Sequence, residues 1–113
     1  MMFTSRAVGN VLVFDLSGRL DATTSEQLAA RLLPEIEGET RQVLFNLAEI
    51  SYMSSIGLRV LVQSAKTLKA SGSGLRICAA GPSVQKVLEI SGLDQLFGLR
   101  DTEDAALAAI AAN

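Results

Sequence analysis

The segment Val11-Leu12-Val13-Phe14-Asp15-Leu16 is apolar at every position except Asp15. A strand with one wet face alternates apolar and polar residues, whereas a strand covered on both faces is apolar almost throughout. This run therefore reads as a strand buried on both sides. Immediately before it, Val8-Gly9-Asn10-Val11 sets apolar residues on either side of a Gly-Asn pair, the signal of a two-residue β-hairpin. Gln42 to Leu47 reads as a second buried strand, Leu75 to Ala79 as the next, and Leu96 to Leu99 as a short last one.

Helical patterns fill the intervals. Thr24 with Gln27 has the form of a capping box, and Leu28, Ala29, Leu32, Leu33 and Ile36 follow at helical spacing. Pro34 is expected to kink this helix or end it early, with Gly38 as its stop. A connection over 48–54 leads to a helix from near Ser55 to near Gly72, whose inward stripe is read as Leu58, Leu61, Val62, Ala65 and Leu68. Gly81-Pro82 opens another helix, with Val84, Val87, Leu88 and Ser91 facing inward. Gly92 ends it, and Leu93 folds back on Leu88. Thr102 caps a final helix with Glu103 and Asp104 in its first turn.

A hairpin followed by alternating helices and strands predicts an α/β fold with parallel pairs joined by right-handed crossovers. The expectation is one domain over residues 1–113: a small mixed sheet of about five strands, hairpin included, with about four helices. The loops after Leu16, Leu47 and Ala79 then gather beyond the carboxyl ends of the strands, where open α/β sheets place binding sites. Asp21, Ser54, Ser55 and Ser83 are the candidates for that edge.

Composition narrows the function. The chain has 113 residues, 49% of them hydrophobic, enough for a packed core that aliphatic side chains must fill because Trp is absent. Net charge is -2 and no Lys or Arg run occurs, so direct nucleic acid binding is not expected. Apolar stretches are only strand-sized, and the first residues lack the apolar region of a signal peptide, so no membrane insertion and a cytoplasmic location are expected. With no His and one Cys, a Ser-His or Cys-His nucleophile is excluded, and zinc and haem have no ligand set. No catalytic residue, metal or cofactor is predicted. Cys78 reads as core filler, Gly72-Ser73-Gly74 as a turn, and Glu35, Glu37 and Glu39 as solvated charges.

The most informative stretch is Tyr52-Met53-Ser54-Ser55-Ile56-Gly57-Leu58. Two hydroxyl residues stand directly before a helix, where side-chain oxygens cap orphan backbone N–H groups. A helix N-terminus also accommodates a phosphate, because free N–H donors and the helix dipole favour negative charge. Capping and phosphorylation both remain open on these residues alone.

Four motifs in order resemble the STAS domains of anti-sigma factor antagonists: Gly18-Arg19-Leu20-Asp21, Leu44-Phe45-Asn46-Leu47, Tyr52-Met53-Ser54-Ser55-Ile56-Gly57-Leu58-Arg59-Val60-Leu61, and Ser91-Gly92-Leu93. The resemblance implies partner switching. The unphosphorylated antagonist binds an anti-sigma factor that is a serine kinase, and a sigma factor is released. Phosphorylation of a serine at the start of the helix after the third strand breaks the complex, and a cognate serine phosphatase resets it. The family pattern Asp-Ser-Ser/Thr-Gly aligns that serine with Ser55, with Ser54 in the aspartate's place, Ile56 next, and Asn46 where many members carry aspartate. The alternative implied by the wider family is an accessory subunit docking on the ATPase of an ABC-type membrane transporter. For the partner surface, helical spacing sets Ile56 and Val60 together, away from the expected inward stripe. With Arg59 and Gln63 as rim they are expected to form an apolar interface centre beside Asp21, Ser54 and Ser55.

Overall fold

A computed structural model describes residues 3–112; Met1, Met2 and Asn113, counted in the expected 1–113 unit, lie outside the described residues. Strands β1 (Phe3–Val8), β2 (Val11–Leu20), β3 (Gln42–Met53) and β4 (Leu75–Cys78) form one sheet in the order β1-β2-β3-β4. The β1–β2 pair is antiparallel about the Gly9-Asn10 turn, while β2–β3 and β3–β4 are parallel. Helix α1 (Ala22–Ile36) joins β2 to β3, α2 (Ser55–Ala70) joins β3 to β4, and α3 (Pro82–Ser91), α4 (Leu93–Leu96) and α5 (Glu103–Ala111) follow.

Side-chain parity along the strands explains the apolar runs. Leu12, Phe14 and Leu16 of β2, Val43, Phe45 and Leu47 of β3, and Leu75 and Ile77 of β4 share one core with α1, α2, α3 and α4. Residues of the other parity, Val11, Val13, Leu44 and Cys78, form a smaller core under Ala106 of α5. Both faces of the central strands are thus dry, as the sequence of Val11 to Leu16 demands. The strands also run further than the apolar segments suggest: β2 reaches Leu20 and β3 reaches Met53. Beyond Leu16 and Leu47 the buried positions thin to Leu20, Ile50 and Met53, so the signal there is weaker.

Four local expectations change. Asp21, not Thr24, is the N-cap of α1, and Thr24 is the third helical residue of the capping box. Pro34 sits inside α1, which continues to Ile36, and the Glu37 N–H still bonds to the Leu33 carbonyl at 3.1 Å. The carbonyl that Pro34 leaves without its helical donor belongs to Ala30, an exposed residue so close to the helix end that little structure is lost. The expected Leu96–Leu99 strand does not form: Leu96 is the last residue of α4, residues 97–98 turn, and a single parallel bridge, Cys78 to Arg100, follows. Gly98 is the cause: its φ of 58° is left-handed, which interrupts an extended path. Ser91, read as inward, is exposed, and its hydroxyl donates to the Leu88 carbonyl at 3.0 Å.

Gly57 fixes how α2 meets the sheet. A Cβ there would lie 2.9 Å from both Leu20 Cβ and Met53 Cγ, closer than carbon atoms approach. Alanine improves helix propensity by up to about 1 kcal/mol, but the overpacking is larger. Gly57→Ala is therefore expected to lose about 1–3 kcal/mol, measured as a lower urea midpoint at unchanged slope.

Candidate partner-binding edge

Strands β2 and β3 end together, with Leu20 and Met53 as partners. The next residue of each strand is a helix N-cap: Asp21 for α1 and Ser54 for α2. Two helix N-termini therefore open at one edge, each contributing unpaired N–H groups and a partial positive charge. Ser54 joins the two junctions. Its N–H and its hydroxyl both donate to the Leu20 carbonyl, at 2.9 and 2.8 Å, and its hydroxyl oxygen accepts the Gly57 N–H at 3.2 Å.

Asp21 closes the other half. Its carboxylate accepts the Thr24 N–H at 3.0 Å, and the Thr24 hydroxyl accepts the Asp21 N–H at 3.0 Å while also contacting the Arg19 carbonyl. The Thr24 N–H, then its hydroxyl, hold the Asp21 carboxyl below its ordinary value, and nearby Arg19 acts in the same direction. Arg19 itself lies over the Tyr52 ring, 4.5 Å from its centre, on the outer side of the same strand ends. Tyr52 is exposed there, so an aromatic–guanidinium pair flanks the edge. Both residues fall within the motifs quoted from the sequence, but nothing in the strand pattern reveals their cross-strand pairing.

Ser55 is the first residue of α2 and is exposed. Among the described residues its hydroxyl makes no hydrogen bond, since Ser54 supplies the cap. Arg59, one turn later on the same face, and Gln63 beyond it are also exposed. The sequence-predicted Ser83 stands apart. It is the second residue of α3, which follows β4, whose last pair with β3 is Cys78 and Asn46, well short of Met53.

The reading of Val60 needs correction. It is only 3% exposed and belongs to the main core. Helix α2 buries Gly57, Val60, Leu61, Ser64 and Leu68, while Leu58, Val62 and Ala65 are only partly covered. At about 100° per residue, this turns the buried arc from Leu58 and Val62 toward Val60. Two small residues, Gly57 and Ser64, are the reason. They let α2 sit close against its neighbours, but their lack of hydrophobic bulk hides them in the sequence. Ser64 satisfies its buried hydroxyl on the Val60 carbonyl at 2.8 Å. Val60 faces α1, and with Ile56, Arg59 and Gln63 it lines a cleft of about 260 Å³. The opposing wall is Ser25, Glu26 and Ala29 of α1, residues the sequence pattern did not single out.

The profile of the STAS domain family matches residues 3–106. The chain belongs to the STAS domain family. BtrV of Bordetella bronchiseptica is 34% identical over 96% of this chain and 94% of its own length. The anti-sigma F factor antagonist of Paenibacillus polymyxa is 30% identical over 86% of this chain and 84% of its own. The structure of the anti-sigma factor antagonist SpoIIAA in its unphosphorylated form superposes with a TM-score of 0.79 at 26% identity, covering 98% of this chain and 97% of that one. In this STAS domain no helix among the described residues is long and apolar enough to cross a membrane.

Two predictions follow from these positions. Val60→Asp leaves a charge buried without a partner, so it is expected to lower global stability by about 3 kcal/mol or more, read by urea denaturation. For Asp21, the lowered carboxyl means its contribution is present above its ordinary value of 3.8 and fades as pH falls through the folded value. Wild type should accordingly melt higher than Asp21→Ala at pH 7, with the gap closing in acid. A gap independent of pH would show that the ionised cap is not the source.

Proposed function

We propose that this STAS protein is an anti-sigma factor antagonist that binds its anti-sigma factor through the edge where β2 and β3 end. Asp21, Ser54, Ser55, Ile56, Arg59 and Gln63 form the contact surface, and buried Val60 supports it from beneath. The relatives' names support antagonism over the alternative of docking on a transporter ATPase. The protein acts in the cytoplasm by association, without turnover of its own. The anti-sigma factor is a serine kinase that phosphorylates Ser55, and a serine phosphatase reverses the mark.

The observation that carries this reading is a division of labour between adjacent serines. Ser54 is committed to hydrogen bonds that hold the junction, whereas Ser55 is exposed at the first helical position. Phosphorylation of Ser55 thus adds almost two negative charges to the binding edge and leaves the cap in place. The N–H groups and dipole of α2 tolerate that charge, so the fold persists while the surface reverses its local sign. A partner surface fitted to a neutral hydroxyl is then repelled by charge and bulk.

Phosphoserine inserted genetically at position 55 tests the switch directly. Calorimetric titration with the same host's anti-sigma factor should show binding by the unmodified chain and at least about tenfold weaker binding by the phosphoprotein, equivalent to about 1.4 kcal/mol. Ser55→Asp should be intermediate, and all three should melt within a few degrees of one another. Equal affinity of modified and unmodified chains would overturn the switch. Absence of binding by the unmodified chain would overturn the antagonist reading itself.

A further inference from the structure

The two faces of the sheet are covered very unequally. On one side, α1 and α2 bury Leu28, Leu32, Ile36, Leu61 and Leu68 against Phe14 and Phe45. On the other side α5 alone lies over Val11, Val13, Leu44 and Cys78, and of its own residues only Ala106 is fully buried, with Leu107 and Ile110 partly so. Five of the nine residues of α5 are alanine, so little hydrophobic area holds it down. A helix this short has no stability of its own in water.

Polar contacts take up the difference at one end. The Arg6 guanidinium donates to both Asp15 carboxylate oxygens, at 2.8 and 3.1 Å, and also to both oxygens of Glu103 in the first turn of α5. Asn46 donates to Glu103 as well, at 3.2 Å. Residues from β1, β2 and β3 thus converge on the start of α5. Among the described residues the far end shows no equivalent: a cleft of about 410 Å³ separates Leu107, Ile110 and Ala111 from the β1–β2 turn. Before the helix, Arg100 is tied to β4 by its N–H to the Ile77 carbonyl at 3.3 Å and its carbonyl to the Ala79 N–H at 2.9 Å. Only exposed Asp101 and Thr102 connect that anchor to α5. The STAS match also ends at Ala106, inside this helix.

We infer that α5 is a releasable strap: it lifts from the sheet about Asp101–Thr102 while the rest of the molecule stays folded, and the contacts of Arg6 and Asn46 with Glu103 set how often it does so. Opening uncovers an apolar strip, Val11, Val13 and Leu44, on the face opposite the main core. It also exposes the Cys78 thiol, which is fully buried when α5 is down. The device is independent of the partner-binding edge, because none of the clamp residues belongs to it.

Cys78 is the sole cysteine and so reports opening without ambiguity. The full chain is treated with DTNB at pH 8, and release of the coloured thiolate is followed alongside circular dichroism across a urea series. Slow labelling in the absence of urea is expected, with a shallower urea dependence than global unfolding. Arg6→Met and Glu103→Gln are expected to label at least about tenfold faster while their global urea midpoints stay close to wild type. Leu68→Ala, which weakens only the main core, should lower the midpoint without accelerating labelling in the absence of urea. Labelling that follows global unfolding in wild type, or clamp variants that label no faster than wild type, would overturn the strap.

Discussion

The Leu20 carbonyl accepts two hydrogen bonds from Ser54, one from the backbone and one from the side chain. The same Ser54 oxygen accepts the Gly57 N–H, so strand β2, the end of β3 and the first turn of α2 meet in one small network. That network works only because Gly57 brings the helix into contact with Leu20 and Met53, at a separation no other residue permits. It determines where α2 starts and therefore which of its side chains face outward. The exposure of Ser55 and Arg59 and the burial of Val60 all descend from it. An N-cap hydroxyl is usually valued for roughly 1 kcal/mol of helix stability; here its larger effect is positional.

The same network explains why serine suffices at position 54. An aspartate in that place, as the resembling motif has it, caps a helix as well as serine does, but it also carries a charge. Ser54 retains the acceptor for the Gly57 N–H and adds a donor for the Leu20 carbonyl, which an ionised carboxylate lacks. The start of α2 is consequently uncharged, while the start of α1 bears the Asp21 carboxylate held ionised by Thr24. A phosphate on Ser55 would therefore be the first negative charge at the start of α2.

Much of the architecture is legible in the sequence because burial on both faces leaves a continuous apolar record. Val11 to Leu16 and Gln42 to Leu47 show it plainly, and Gly9-Asn10 and Gly92 mark turns that need left-handed backbone at glycine. The strand ends are harder to read. From Leu16 to Leu20 and from Leu47 to Met53 the exposed positions carry Arg19, Glu49, Ser51 and Tyr52, which resemble loop residues until their partners are known. The register of α2 fails for a related reason. Hydrophobic spacing weights Leu58 and Val62 above Gly57 and Ser64, yet close helix contact is made by the small residues. The serines and Asp21 of the edge were legible through capping chemistry; the α1 wall was not, because Ser25 reads as polar although it is fully buried.

Unequal burial also separates two kinds of motion in the molecule. The edge proposed for binding is built on the side where Phe14, Phe45 and the long helices pack, so a group added at Ser55 would change charge more than shape. The opposite face rests on alanines and on a polar network that holds α5 at its start. Local opening draws on the least buried elements first. Release of α5 as inferred above would act on the α5 face, away from the edge, and uncover the second apolar surface without disturbing the edge. The strands that carry both are shared: Asp15 and Asn46 of the clamp lie on β2 and β3, whose far ends supply Leu20 and Met53. Rigid strands between them allow the two faces to serve different purposes without one disturbing the other.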